Sequence, residues 1–555
     1  MRKFFCMVVM ACSLVASLLM AQGADQDTLV LDPNQFVNGQ ILGDTTETGE
    51  RLNPDRVYKV ERNKFYLFDG RLDVEGFKCE IVGPYNGPIV HDTENGHPPV
   101  LLMKANDNGQ AKQFFRLYTD GEFILKNSIY AGLSDAGVTT GRFMDNTSGK
   151  RVILDNLIVS QNRFQNRWLA ENGEHIVRNC VFMNHWDGSN TAERGVGFVV
   201  KPSTASFICE NNTFVNMGAP IRVRDPQFET ETYYAHNTCV NTMMHELGLR
   251  QKELIAANNL YYNWSWVGYG DAKLTEEPLD LLVMYLADNN EAVNMDSVSL
   301  YFGDNAFYRE TALENWYNNQ DTVQLAGILP PSAYDYVALD DNWTIGEIIE
   351  GKDPQFSLFD SNSDSLIGFL EGYFAIPPVI PAANWLSDYL VMWDENGPYM
   401  NQWPLPFDLS YSNPDLMTAA SDGLPLGDLN WFPEKKAEYE ANREAIVADL
   451  AAKKSGATGV ETAAAKVSNF NLLQNYPNPF NPTTTIAFSL KNPASVKVTV
   501  YNTLGQQVET LLNKTIQAGA HSVIWNAGNN VSGVYFYELQ IDGARSKIMK
   551  MMLVK

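Results

Sequence analysis

Cysteine is scarce in this 555-residue chain, and two of the six, Cys6 and Cys12, fall near its start. No CxxC pair occurs, which excludes a zinc ribbon or a thioredoxin-like motif. The other four, Cys79, Cys180, Cys209 and Cys239, are too few for a disulfide scaffold and read as buried apolar thiols, with room for one disulfide. Positive charge is short as well: 41 Lys and Arg stand against 66 Asp and Glu, a net charge of -25. That argues against a partner that is nucleic acid or an anionic membrane surface. Beyond the N-terminus no apolar run is long enough to span a bilayer. HExxH is absent, since His236, His245 and Glu246 do not form it, and so are a phosphate-cradling glycine loop, a GxSxG elbow and an Asn-Thr-Asp run. His175 and His185 stand ten apart in loop-like sequence and read as surface or packing residues.

What is present points to an exported β-rich protein. Hydrophobic residues make up 45% and charged residues 19%, enough for a packed core, and aromatics reach 12%. The start, MRKFF, an apolar run to Met20 and AQG before Ala24, predicts a cleaved signal peptide over 1–23. Residues 467–555 carry +4, which leaves -31 on residues 24–466. That C-terminal segment alternates apolar and polar residues in short runs separated by turns, as in a small immunoglobulin-like β-sandwich. Before it, PEKKAEYEANREAIVADLAAKK (433–454) predicts a helix, with Pro433 in its first turn, and SGATGVETAAAK (455–466) a flexible linker.

The main body repeats. NSIYAG at Asn127, NLIVSQ at Asn156, NCVFMN at Asn179, NNTFVN at Asn211, HNTCVN at His236 and NNLYYN at Asn258 align, with NAFYRE at Asn305 a further copy. The unequal spacing excludes an α-solenoid and predicts an all-β fold, a right-handed parallel β-helix over 24–432. Side-chain amides at the last motif position, Gln161, Asn184, Asn216, Asn241 and Asn263, are expected to stack and hydrogen-bond from coil to coil. A second strand precedes each repeat. Its outward positions predict two columns. One holds Arg116, Arg142, Arg167, Val199, Arg222 and Gly248; the other holds Tyr118, Met144, Leu169, Lys201, Arg224 and Arg250. Coils about 4.8 Å apart would make these seven cations a stripe suited to the carboxylates of an acidic polysaccharide. Long cations covering an exposed sheet face are the structural alternative.

Two stretches resemble known families. NLLQNYPNPFNPTTTIAFSL, VYNTLGQQV, AGAHSVIWN and GVYFYELQIDG with KIMKMMLVK closely resemble the type A C-terminal sorting domain of the type IX secretion system. That implies handling by the type IX machinery and a location outside the cell or on its outer surface. ERGVGFVVKPSTASFICENNTFVNMGAPIRVRD (193–225) resembles the active-site coils of polysaccharide lyase family 6, which are parallel β-helices. The resemblance implies Lys201 as the base of a β-elimination, Asn212-Thr213-Phe214 as the intervening step and Arg224 as acid or charge stabiliser. Where that family carries two Glu that hold calcium, this chain has Arg194 and Val196. A separate run, Asp360, Asn362, Asp364 and Glu371, has the alternating oxygen ligands of a calcium loop, but Ser365 stands where an EF-hand needs Gly. The expectation is a lyase acting on an acidic polysaccharide; the rival is a non-catalytic glycan-binding, adhesive or structural surface protein.

Overall fold

The computed structural model describes residues 28–85, 87–91, 96–106, 114–135, 141–160, 166–168, 173–185, 195–200, 205–223, 230–243, 247, 252–266, 269–270, 299–320, 323–325, 328–329, 342–374, 392–394, 397–400, 403–454, 470–472, 475, 478, 480–490, 493–503, 506–517, 519–541 and 544–555. The expected signal peptide, the linker, His245 and Glu246 lie outside them. The chain divides into two units, residues 1–330 with 344–457, and residues 331–343 with 458–555.

The first unit is a parallel β-helix with three faces. On the first face Glu174–Arg178, Ser206–Glu210, Glu231–Ala235, Glu253–Ala257 and Ser299–Gly303 pair in parallel register. On the second, Val181–Met183, Thr213–Met217, Thr238–Thr242, Leu260–Tyr262 and Asn305–Tyr308 do the same. The long strands Glu122–Ser134 and Arg151–Ser160 run through both faces and join them into one 19-stranded sheet. The third face is a six-stranded sheet of Leu72–Glu75, Phe115–Tyr118, Met144–Asn146, Asn166–Trp168, Val196–Val200 and Ala219–Val223.

Asparagine turns the corners. The first residue of each repeat, Asn127, Asn156, Asn179, Asn211, His236 and Asn258, has φ between 52° and 62°. A left-handed conformation is one that short polar side chains tolerate better than branched ones. One residue further on, the amides of Asn212, Asn237, Asn259 and Asn305 form a buried ladder. Asn237, Asn259 and Asn305 each accept through Oδ1 from the backbone N–H of the rung before, at 3.1, 2.9 and 2.9 Å. The expected stack at the last motif position is present at Asn216, Asn241 and Asn263, where Asn241 Nδ2 donates to Asn216 at 3.0 Å and Asn263 Nδ2 to Asn241 at 3.1 Å; Gln161 lies outside the described residues. Inside the coils, in-register rings stack, Phe182 on Phe214 and Tyr261 on Phe307. All four described cysteines are buried and free. His175 and His185, expected at the surface or in packing, are fully buried in the core.

Both sheet faces that turn apolar residues outward are covered. On the first face Ile153, Ile176, Ile208, Tyr233, Ile255 and Tyr301 form one register column. The helix Pro433–Lys454 lies along it and packs Ile446, Val447, Leu450 and Ala451 onto those side chains. Its inward residues recur at Lys436, Tyr439, Arg443, Ile446 and Leu450, the spacing of one helix face. On the second face Val215, Val240 and Tyr262 pack under Leu405, Phe407, Leu409 and Trp431. Between these two covers, residues 427–431 sit in the asparagine corner. Gly427 N donates to Asn258 O and Asp428 N to Thr238 Oγ1, while Trp431 Nε1 donates to Thr213 Oγ1. Gly427 has φ of 85°, and a Cβ there would lie 2.4 Å from Thr238 Oγ1.

The second unit is a β-sandwich. Phe470–Leu472, Thr483–Leu490 and Gly519–Asn526 form one antiparallel sheet; Gln507–Ile516, Ala494–Asn502, Gly533–Ile541 and Ala544–Leu553 form the other. Ile486, Phe488 and Trp525 from the first meet Val496, Val498 and Tyr537 from the second.

Candidate functional site

The third face carries the cation positions expected from the sequence. Its strands alternate, so that Phe115, Leu117, Met144, Asn146, Phe198 and Ile221 are buried inside the coils. The positions between them stack in one register column, Asp73, Arg116, Asp145, Arg167, Val199 and Arg222. Four of these six are thus the expected Arg116, Arg167, Val199 and Arg222. Arg142 is not among them. It precedes its strand, Met144 faces inward beside Phe115 and is fully buried, and Asp145 takes the outward place. The expected register slips there because Phe143 and Met144 are adjacent and both buried, so alternation alone does not choose between them. Arg142 instead holds Asp145 from the side, Nη1 to Oδ2 at 3.2 Å.

The stripe is therefore not uniformly cationic. Asp73 and Asp145 interleave with the arginines, and Asp73 has its own lateral partner in Arg71, Nη2 to Oδ2 at 3.0 Å. The hydrogen bond to Asp73 pushes Arg71 above the ordinary guanidinium range. Arg116 lies over the Tyr118 ring at 5.1 Å, and Tyr118 pairs in register with Glu75. Arg116 is half-buried; Val199 is 1% exposed and Arg222 7%. Lys201, Arg224 and Arg250, with Leu169 and Gly248, lie outside the described residues. In sequence Lys201 follows Val200 and Arg224 follows Val223, and those two valines are register partners on adjacent coils.

Asp73, Glu75 and Asp145 escaped the sequence reading. The signal for the first two was there, in the alternation of LDVE (72–75), one coil before the first strand that was considered.

The calcium-like run is a helix start. Asp360 Oδ1 accepts from Asn362 N at 3.0 Å, and Ser363–Tyr373 is helical. Asp364 and Glu371 then stand seven residues apart on one helix, about 10 Å along its axis, so the four oxygens do not converge as a twelve-residue loop requires. Among the described residues no group of three or more His, Cys, Asp or Glu could hold a metal ion.

One cavity of about 270 Å³ lies between the helix and residues 421–424, lined by Ser421, Asp422, Leu424, Glu438, Asn442 and Asp449. Of these, Asp422 has its Oδ2 2.9 Å from His236 Nε2. Burial works to raise the Asp422 carboxyl, but the His236 hydrogen bond holds it below the usual range. His236 also faces the Gly427 carbonyl and the Asn258 amide, so the pair ties the covering segment to the corner.

Residues 474–555 match the family described as the secretion system C-terminal sorting domain. No curated protein matches the chain. The sorting domain is that of the type IX system, so the protein is secreted to the cell surface or the extracellular space and engages the type IX machinery.

Proposed function

We propose that this exported β-helix acts on an acidic extracellular polysaccharide laid along its third face. The observation that supports this reading is the contrast between faces. Among the described residues the middle outward column of the first face and Val215, Val240 and Tyr262 of the second are apolar and covered, the charges that flank the first, such as Glu210 and Glu253, pair with Arg443 and Lys454 of the covering helix, and the third face carries arginines and carboxylates. Arginine matches carboxylates in fixed, bidentate geometry, which is the need of a uronate-binding track. In this reading Lys201 takes the proton α to the uronate carboxylate, the pair of electrons released expels the 4-linked sugar, and Arg224 stabilises the charge or protonates the leaving oxygen. Neighbouring cations would lower the Lys201 pKa toward the working range of a base.

A second reading has its own support. Asp73 and Asp145 break the stripe, and each is held by a lateral arginine, as in a polar ladder that binds glycan without cutting it or simply solvates a surface. The test is incubation of the purified chain with alginate, pectate and chondroitin-type chains, with and without calcium, following the absorbance of unsaturated uronate. Product that disappears in Lys201→Ala establishes elimination. Binding without product makes this a glycan-binding surface protein, and neither product nor binding overturns the reading.

A further inference from the structure

The segment in the asparagine corner brings three reactive groups together away from water. Asp428, Asn430 and Lys436 are 1%, 2% and 7% exposed. Lys436 Nζ donates to Asn430 Oδ1 at 2.7 Å. On the other side of the same carboxamide, Asn430 Nδ2 donates to Asp428 Oδ1 at 2.7 Å and to the Asn211 carbonyl at 2.8 Å. One amide group therefore lies between a primary amine and a carboxyl. The flanking groups are fixed from outside. Thr213 Oγ1 donates to Asp428 Oδ2 at 2.7 Å, and Asp428 N donates to Thr238 Oγ1 at 2.8 Å. Lys436 stands in the first turn of the helix Pro433–Lys454, where its N–H donates to Phe432 O at 2.9 Å.

A counterion role explains Lys436 poorly. Glu440 is 3.7 Å away with a side chain 60% exposed, a loose pair. The Lys436 charge also acts on Asp155, but Arg178 and Asn179 already hold that carboxylate at 2.8 and 2.7 Å. The short contact of Lys436 is with an amide oxygen. Burial meanwhile pushes the Asp428 carboxyl up to about 7, against the hydrogen bonds from Asn430 and Thr213. Near neutral pH it can hold a proton and release it.

We infer that Lys436 and Asn430 join in an isopeptide bond formed by the protein itself, with Asp428 as the catalytic acid. After losing one proton, Lys436 Nζ bonds to Asn430 Cγ, and the Cγ–Nδ2 bond breaks. Asp428 gives its proton to Nδ2, which leaves as ammonia, and takes the second Nζ proton in return. A secondary amide replaces the primary one, Asp428 ends as it began, and no oxidant or cofactor is consumed. Fixed neighbours turn a slow encounter into an intramolecular step. The bond ties the corner segment to the helix that covers the first face. The four described cysteines are free, so this amide supplies a covalent staple that a reductant cannot open. The inference is independent of the polysaccharide reading.

The experiment is mass spectrometry of the purified full chain, denatured after folding, beside Lys436→Arg and Asp428→Asn. The folded chain is expected about 17 Da below its sequence mass, the loss of one ammonia. Cleavage after glutamate should release a branched peptide in which the fragment ending at Glu434 is joined to Lys435–Glu438. Lys436→Arg keeps the charge without the nucleophile and should show its full mass and linear peptides only. Asp428→Asn keeps the shape without the acid, and its mass shift at pH 7 after refolding should be about 100-fold slower. Full sequence mass in a chain that melts cooperatively overturns the inference. So does a deficit that persists in Lys436→Arg, because the ammonia then comes from elsewhere. Joining at an unchanged rate in Asp428→Asn overturns the part given to Asp428.

Discussion

Arg443→Met should loosen the helix Pro433–Lys454 from the β-helix by about 3 kcal/mol. Glu210 is 2% exposed. Arg443 Nε reaches its two carboxylate oxygens at 3.0 and 2.8 Å, and Tyr439 Oη donates to it at 3.0 Å. Removing one partner of a buried pair costs about 3–5 kcal/mol, mostly because the other charge is left without its counterion. The lower end applies here. The Arg443 side chain is 20% exposed, and Arg178 on the adjacent coil still acts on Glu210. Solenoids open coil by coil, so a global midpoint would blunt the effect and hydrogen exchange at the helix amides is the sharper assay. The expected result is exchange about 100-fold faster across residues 436–454, with the second-face amides unchanged. The double variant Glu210→Gln/Arg443→Met should recover most of that loss, because the stranded charge is gone. Less than a threefold change in Arg443→Met, or a double variant no better than the single, would refute the claim that this ion pair fastens the helix.

Acid should destabilise the body through its buried imidazoles. Burial depresses His175 to about 3 and His185 to about 4. Asn146 accepts from Gly149 N through Oδ1, which aims its Nδ2 at His175 Nε2, 2.9 Å away, an arrangement that fits a neutral ring. An unfolded His takes its proton near pH 6.5 and these do not, so stability falls from about pH 6.5 down to the folded values and then levels. His175→Gln should flatten denaturation midpoints measured between pH 6.5 and 4; an unchanged slope would count against it. The thiols should be silent to alkylation. Burial pushes Cys79 and Cys239 up to about 12 and raises Cys180 and Cys209 as well. Mass spectrometry after iodoacetamide at pH 8 should find these four sites unmodified in the native chain and modified after denaturation. Rapid native labelling of any of them would contradict its place in the core.

Much of this architecture was legible because the repeat writes its corner twice. Asn at the first motif position takes the left-handed turn, and Asn at the last forms a coil-to-coil ladder, so the amide periodicity was visible before any coordinates. The helix was legible for a different reason: Pro433 and the Glu/Lys pattern mark it locally. Its place on the fold was not. That depended on the column Ile153, Ile176, Ile208, Tyr233, Ile255 and Tyr301, which faces outward and demands a cover. Each strand alone gives a buried-looking apolar run, and only the register shows which residues point away from the coil interior. The candidate site shows the same limit. Arg116, Arg167 and Arg222 could be aligned from strand alternation, yet Phe143-Met144 allowed a one-residue slip that exchanged Asp145 for Arg142. That exchange changes the chemistry of the face.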